Sequence, residues 1–342
     1  MENNKVAINL VTWNGQDFVA ACLDSALSQT YQNYEILIVD NGSIDGTPEF
    51  IKKKYPQLRL IENDKNLGFA AGHNLAIKNS DGEFILCLNQ DVILDKNFLQ
   101  KAVEQFKKDG RIGAIQAKLL RLKKENTGFV KTGIIDTTGL LMLKNRRIVN
   151  RTQGLKDTGQ FSQIEEVFGA DGAAPLFRRV ALAETKLPNS KNSKADDFFD
   201  EDFFSYKEDV DLAWRLRLYG WKIIYLPDAI AWHARGSGDS AAFGPFDIIR
   251  ERRKINDFSK SLSFANQRLM QLKNEQWLLL LRDSFWFVPK EVAAWIYVLI
   301  FEKYNFQALK NLLQQLPAAC QKRKIIKKRT KVGAKTMAQW FK

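Results

Sequence analysis

Short apolar runs at residues 6–11, 36–39, 58–61 and 84–88 alternate with segments at 18–28, 48–54, 70–78 and 98–106 whose apolar positions recur at helical spacing. Strand, helix, strand, helix in that order predicts a parallel open sheet covered on both faces. Ligands of such sheets bind beyond the carboxyl ends of the strands. Thr12-Trp13-Asn14, Asp40-Asn41-Gly42 and Asn89-Gln90-Asp91 each follow one of these runs, so the pattern gathers them at one rim.

From 113 to 177 the pattern turns strand-rich and irregular, with Gly133, Gly139, Gly154 and Gly159 marking turns, and a helical segment follows at 178–184. The polar stretch 190–197 predicts a surface loop. Residues 207–219 then predict a helix, 221–226 a strand and 230–233 a second short extended piece. A glycine-serine stretch at 236–240 predicts a loop, and helices follow. Two of these, 277–281 and 292–301, are strongly apolar, yet each is shorter than a bilayer span and is bounded by Arg282, Asp283, Lys290, Glu291 and Glu302. No internal repeat accompanies the pattern.

With 342 residues, 45% hydrophobic and 11% aromatic, the chain can bury a sizeable core and carry an appendage. Cys22, Cys87 and Cys320 have no metal-type spacing and point to a reducing cytosol. Residues 1–5 carry an acid and lead straight into a strand, without a charged leader and apolar signal core, so nothing predicts secretion. A net charge of +13 calls for an anionic partner. The charge gathers past Glu302, where no acid follows and Lys322, Arg323, Lys324, Lys327, Lys328, Arg329, Lys331, Lys335 and Lys342 crowd the tail. No helix-turn-helix, zinc-finger or RNP-type sequence accompanies it, which argues against a specific nucleic-acid partner and for an anionic membrane surface. Trp277, Phe285, Trp286, Phe287, Trp295 and Tyr297 beside a lysine-rich tail suit helices at a headgroup layer. Helices that pack on the body, or form an oligomer face, fit the same residues equally well.

The longest informative string is Phe199-Asp200-Glu201-Asp202-Phe203-Phe204-Ser205-Tyr206-Lys207-Glu208-Asp209-Val210-Asp211-Leu212-Ala213-Trp214-Arg215, followed by Trp232-His233. Together with residues 40–47 and Asn89-Gln90-Asp91, it resembles the inverting family two of glycosyltransferases, most closely the rhamnosyltransferase-type members. The resemblance covers residues 6–233. It implies the α/β GT-A fold, a Rossmann-like open mixed sheet with helices on both faces, followed here by a C-terminal helical extension. The expected division is a glycosyltransferase domain over 1–240, with a nucleotide-sugar half (1–112) and an acceptor half (113–240), and a helical, basic, membrane-associating region over 241–342.

Sugar transfer needs a divalent cation for the departing diphosphate and a carboxylate for the acceptor hydroxyl. The resemblance implies Asp209 as general base with Glu208 beside it, and Asp91 with His233 as ligands of Mn²⁺ or Mg²⁺. An imidazole in the set favours manganese. Thr12, Asn14, Asp40, Asn41, Asn66, Gly68 and Asn89 would bind the donor, with Asp40 accepting a pyrimidine N3–H. Gly172, Ala173 and Trp232 would face the acceptor. Each feature alone has a plainer account. Acids at a helix start complement its dipole, a lone aspartate ends many strands, and Asp-Asn-Gly is a turn signal. His73 is assigned no role beyond surface or loop packing.

Two departures stand out. Asn89 replaces the first aspartate of the usual metal motif, with Gln90 next to it, and Asp196-Asp197-Phe198 replaces the usual Gly-Gly before the long string. The implied activity is inverting transfer of a sugar, rhamnose in the nearest type, from a dTDP- or uridine-linked donor to a glycan or polyprenyl-linked saccharide. The expected place is the cytoplasmic face of the plasma membrane. The rivals are a sugar nucleotidyltransferase, which would show a glycine-rich loop where Thr12-Trp13-Asn14-Gly15 stands, and an inert basic scaffold or nucleic-acid-binding protein.

Overall fold

The computed structural model describes residues 4–126, 128–192, 194–235, 244–302 and 306–342, and the stretch at 236–240 lies outside them. The predicted alternation appears as β1 (Val6–Thr12), α1 (Val19–Leu27), β2 (Tyr34–Asp40), α2 (Thr47–Lys54), β3 (Arg59–Glu62), α3 (Gly68–Asn79) and β4 (Phe84–Asn89). The middle of the chain forms β5 (Val92–Leu94), α4 (Phe98–Lys108), β6 (Ile112–Glu125), β7 (Gly128–Thr137), β8 (Leu140–Met142), β9 (Ile148–Asn150), β10 (Glu165–Glu166), β11 (Leu176–Arg178), α5 (Arg179–Glu184), β12 (Leu187–Pro188), β13 (Asp196–Asp197), α6 (Glu208–Leu218) and β14 (Lys222–His233). The C-terminal part is helical: α7 (Pro245–Lys254), α8 (Asp257–Asn274), α9 (Trp277–Arg282), α10 (Ser284–Phe301), α11 (Phe306–Arg329) and α12 (Ala334–Met337).

Among the described residues one sheet runs β10-β14-β6-β11-β4-β1-β2-β3, with β5 on β14 and β7 on β6. Strands β3, β2, β1 and β4 are parallel, and β6 is parallel to β14. Between these groups β11 lies antiparallel to both β4 and β6, which makes the sheet mixed. Registry then places the motifs. Thr12 pairs with Asp40 and Val11 with Asn89, so the polar ends of β1, β2 and β4 finish side by side.

Strands buried on both faces read as continuous apolar runs. Ile8 and Leu10 pack with Val19 and Leu23 of α1 and Phe98 of α4, while Ala7, Ile85 and Cys87 face Ala70 and Ile77 of α3. The expected break between 226 and 230 is a register shift inside a single strand, β14, where Pro227 has no N–H to give to the ladder.

A third apolar cluster joins Leu140, Met142, Phe203 and Trp214 to Leu269, Met270, Ile326, Met337 and Phe341 of the C-terminal part. Buried ions cross the same boundary. Arg146 reaches Glu275 and Asp283, each at 2.7 Å. Lys322 reaches Asp200 and Asp202, each at 2.6 Å. The tail is therefore less free than its charge suggests, since Lys322 is 2% exposed and Arg323 donates to the carbonyls of Leu272 and Glu275. Lys324, Lys327 and Lys328 remain exposed.

The apolar segments also differ from expectation. Residues 284–301 form one helix that runs through Pro289, long and apolar enough to cross a membrane by length and composition, and only 6% of it is buried. Glu291, read as a boundary, is neutralised inside the helix by Arg268 at 2.7 Å and by Lys290 at 2.5 Å.

Candidate active site

At the rim, the Thr12 hydroxyl donates to Gln90 Oε1 at 2.5 Å and the Trp13 N–H to the same oxygen at 2.8 Å. Gln90, the departure from the family pattern, is thus a strut between the ends of β1 and β4. Gly15 permits it, because a Cβ there would stand 2.4 Å from Gln90 Oε1. The Asn14 side chain accepts from the Ile44 N–H at 2.9 Å. Asp40 is 1% exposed and accepts from the Ser43 N–H at 2.8 Å and its hydroxyl at 2.6 Å. Asn41 is committed internally, donating to the Gly68 carbonyl at 3.0 Å and accepting from Asn63 at 2.9 Å, so its side chain braces the loop.

Asn66 accepts from the Gly68 N–H at 2.8 Å. Gly68 has φ +83°, and a Cβ there would lie 2.4 Å from the Phe204 carbonyl oxygen, so only glycine fits where the donor half meets the segment leading to Glu208. The Asn89 N–H donates to the Ala173 carbonyl at 2.9 Å.

Pairing of β5 with β14 sets Val92 opposite His233, which brings Asp91 beside the imidazole. His233 Nε2 stands 3.4 Å from Asp91 Oδ2, and Nδ1 stands 2.8 Å from Asp136 Oδ2. Arg235 holds the other Asp136 oxygen at 2.6 Å and reaches Asp171 at 3.5 Å. Burial alone would lower the imidazole's pKa, but the carboxylates of Asp91 and Asp136 outweigh it and raise it to about 10. Burial would raise Asp136, and the His233 hydrogen bond with the Arg235 charge instead hold it at about 2.

Among the described residues no group of three or more His, Cys, Asp or Glu converges as a closed metal site. A carboxylate and an imidazole whose far nitrogen is fixed by a second carboxylate nonetheless fit a divalent ion that takes its remaining ligands from diphosphate and water. Asp136 was not singled out from the sequence. It lies 97 residues from His233, in a strand with no motif around it.

The acids of α6 open the helix after Lys207, whose φ is +79°. Burial, and then the Asp171 charge, raise Asp209 to about 6. Burial, and then the Asp209 charge, raise Glu208 to about 8, and Glu208 Oε2 is buried with no hydrogen-bond partner. Both carboxyls are thus held above the ordinary carboxylate range, because burial disfavours either charge and the neighbouring Asp209 charge opposes ionisation of Glu208. Gly172 faces this carboxylate, since a Cβ there would stand 3.6 Å from Asp209 Oδ2 and 3.4 Å from Phe69 in ordinary contact, and Ala173 beside it is buried.

Asp91, His233, Asp136, Arg235, Asp171 and Asp209 therefore form one chain of electrostatic neighbours. Trp232 does not join it. Neighbouring strand residues point to opposite faces, and its ring lies away from His233 under the Lys131 ammonium at 4.0 Å. His73 also differs from expectation, being fully buried between Phe69 and Phe199 with neither ring nitrogen hydrogen-bonded, and burial lowers it to about 3.

An open mixed sheet covered by helices, with the polar ends of β1, β2 and β4 brought to one rim, is the GT-A arrangement of glycosyltransferases. The chain belongs to glycosyl transferase family 2, whose profile matches residues 8–185, just over half of its 342 residues. That membership sets aside the nucleotidyltransferase reading. Similar curated proteins include the poly-beta-1,6-N-acetyl-D-glucosamine synthases of Staphylococcus epidermidis and Staphylococcus aureus (strain COL). The first is 27% identical over 66% of this chain and 49% of its own length, the second 27% over 67% and 52%. The chain thus spans about half the length of the curated relatives it matches. Among solved structures, GalNAc-T7 with UDP, GalNAc and Mn²⁺ superposes with TM-score 0.55 at 14% identity, covering 86% of this chain and 57% of that one. The mannosyltransferase PcManGT of Pyrobaculum calidifontis, with GDP-Man and Mn²⁺, does so with TM-score 0.50 at 16% identity over 98% and 87%.

Proposed function

We propose that this glycosyltransferase moves a sugar, with inversion, from a pyrimidine nucleoside-diphosphate donor to a hydroxyl of a glycan or polyprenyl-linked saccharide. The observation that carries the reading is Asp209, a carboxylate raised to about 6, standing in the same electrostatic chain as the Asp91–His233 pair.

Asp209 takes the proton of the acceptor hydroxyl, and a pKa near the working pH suits that exchange. Glu208, whose pKa is raised by burial and the Asp209 charge, donates a hydrogen bond to the acceptor in its protonated form. Displacement in a single step, with the base opposite the leaving group, inverts the anomeric carbon, by the geometry that separates inverting from retaining hydrolases. Asp40 retains lone pairs for the N3–H of uracil or thymine, a ring donor that cytosine and adenine lack. Asp91 and His233 would hold a divalent ion. When bound, that ion neutralises charge on the departing diphosphate.

For the sugar, N-acetylhexosamine takes precedence over the rhamnose expected from the sequence. The curated relatives are named for N-acetyl-D-glucosamine polymerisation, and GalNAc-T7 was solved with UDP and GalNAc. The exposed helix α10 and the lysines of α11 favour work at the cytoplasmic surface of a membrane.

The test is release of nucleoside diphosphate from UDP-N-acetylglucosamine, dTDP-rhamnose and GDP-mannose, with and without Mn²⁺. Proton NMR of the product reads the anomeric configuration. Turnover of a pyrimidine-linked sugar that inverts configuration and is lost in Asp209→Asn is expected. Turnover confined to GDP-mannose, or a retained configuration, sinks the proposal.

A further inference from the structure

The segment that delivers Asp209 is held in a conformation it cannot keep by itself. Phe204 has φ +59° and ψ −66°, and the Ser205 N–H donates to the Phe203 carbonyl at 2.6 Å. This is the γ-turn of the rare, strained hand. Tyr206 at φ +71° and Lys207 at φ +79° follow, also in the left-handed region and also not glycine. Non-glycine residues in such conformations persist only where their surroundings impose them. Asp209 lies five residues beyond Phe204.

The surroundings come from the C-terminal helices. Asn266 of α8 is 1% exposed, and its amide nitrogen donates to the carbonyls of Phe203 at 2.9 Å, Ser205 at 2.9 Å and Tyr206 at 2.8 Å. The Tyr206 and Ser259 hydroxyls meet at 3.0 Å, and the Phe258 ring sits edge-on to Phe204. Both flanks are pinned as well. Asp200 is held by Lys273 and, at 2.6 Å, by Lys322, while Asp211 is held by Lys273 at 2.9 Å and Asn274 at 2.7 Å. On the other side, the Phe204 carbonyl accepts from the Ala70 N–H at 3.2 Å, so the turn is wedged between the donor helix α3 and α8.

We propose that Asn266 is a positioning residue for sugar transfer: by holding the γ-turn at Phe203–Ser205 from α8 it fixes where Asp209 stands above the donor. The proposal rests on Asp209 as base. Asn266 of α8 then acts on the reaction through the turn. Releasing the turn lets the first turn of α6 move away from Asp171, and with it the base. A misplacement of about 1 Å costs on the order of 100-fold in rate.

The experiment compares full-length Asn266→Ala, Leu269→Ala and Asp209→Asn. Leu269 is a core residue of the same helix whose side chain cannot hydrogen-bond, so its truncation supplies a loss of stability while the Asn266 bonds to the turn stay in place. For Asn266→Ala the expected result is a kcat lowered about 100-fold, UDP affinity within about twofold of the parent because the donor rim is untouched, and an acid limb of kcat moved below its parental position. Leu269→Ala should melt earlier yet keep the parental kcat and acid limb.

Parental kcat and limb in folded Asn266→Ala, or the same losses in Leu269→Ala, overturn the proposal. If Asn266→Ala does not fold, Lys322→Met and Lys322→Arg replace it: a kcat loss in the first that the second restores supports the clamp, and equal kcat in both overturns it. Residual turnover in Asp209→Asn equal to the parent would instead remove the base assignment, a result distinct from failure of the clamp.

Discussion

Asp136 holds the Nδ1 of His233 at 2.8 Å and so leaves the Nε2 to face Asp91. A carboxylate behind a ligating histidine fixes the ring and raises its basicity, and its loss typically costs 10–100-fold in metal affinity. Asp136→Ala should therefore weaken Mn²⁺ binding, measured by titration calorimetry in the presence of UDP, by roughly 10–100-fold. Because the imidazole carries a proton up to about pH 10 in the metal-free protein, binding at neutral pH must expel it. Titration in buffers of different ionisation enthalpy should count about one proton released. Undiminished affinity in Asp136→Ala would count against His233 as a ligand.

The acid limb of turnover follows from Asp209. A general base works only when deprotonated, and burial with the Asp171 charge raises this group to about 6. Activity should fall as pH drops through about 6. Asp171→Asn removes the repulsion while keeping the side chain's shape, so it should move the limb to lower pH. A limb that stays in place would show that Asp171 does not set the base.

Glu208 makes the opposite demand on stability. Its folded pKa, about 8, lies above the ordinary 4.5, so the native state binds more protons and stability falls as pH rises across that window. Glu208→Gln keeps the group neutral. Its melting temperature should exceed the parent's by about 2 °C or more at pH 8.5, and the difference should vanish near pH 4. Calorimetry at the two pH values checks this, and equal melting at both would mean that Glu208 gains its charge without penalty.

The parts of this architecture visible in the sequence are those written locally. Apolar runs at strand and helix spacing give the β1-to-β4 alternation, and polar triplets after β1, β2 and β4 share a rim because parallel strands end together. What escaped reading depends on distant partners. Asp136 and Asn266 are single residues in unmarked segments, and only strand pairing and helix packing bring them to His233 and the Phe204 turn. Lys322 counted as tail charge because a sum of lysines cannot record that Asp200 and Asp202 enclose one of them. Trp232, expected at the acceptor, lies on the opposite face of β14 from His233 because neighbouring strand residues alternate.

Helix α10 yields the last expected outcome. Phe285 is 78% exposed, Leu299 50% and Ile296 52%, so an apolar face of α10 stands uncovered. Cations lie on it and on the preceding α9: Lys144 stacks on Trp286 of α10 with its nitrogen 5.0 Å from the ring centre, and Arg323 on Trp277 of α9 at 5.2 Å. An apolar face with aromatic residues capped by cations suits an anionic headgroup layer, where apolar burial and charge attraction add. Ile296→Glu combined with Leu299→Glu should reduce co-sedimentation with phosphatidylglycerol vesicles by at least about tenfold, since it takes two exposed apolar side chains from the lipid-facing surface and adds like charge. Both positions are exposed, so the melting temperature should not change. Salt should weaken parental binding as well, because each lysine near the surface contributes roughly 1 kcal/mol that ions screen. Vesicle binding indifferent to both the substitutions and the salt would reject a lipid surface as the occupant of this face.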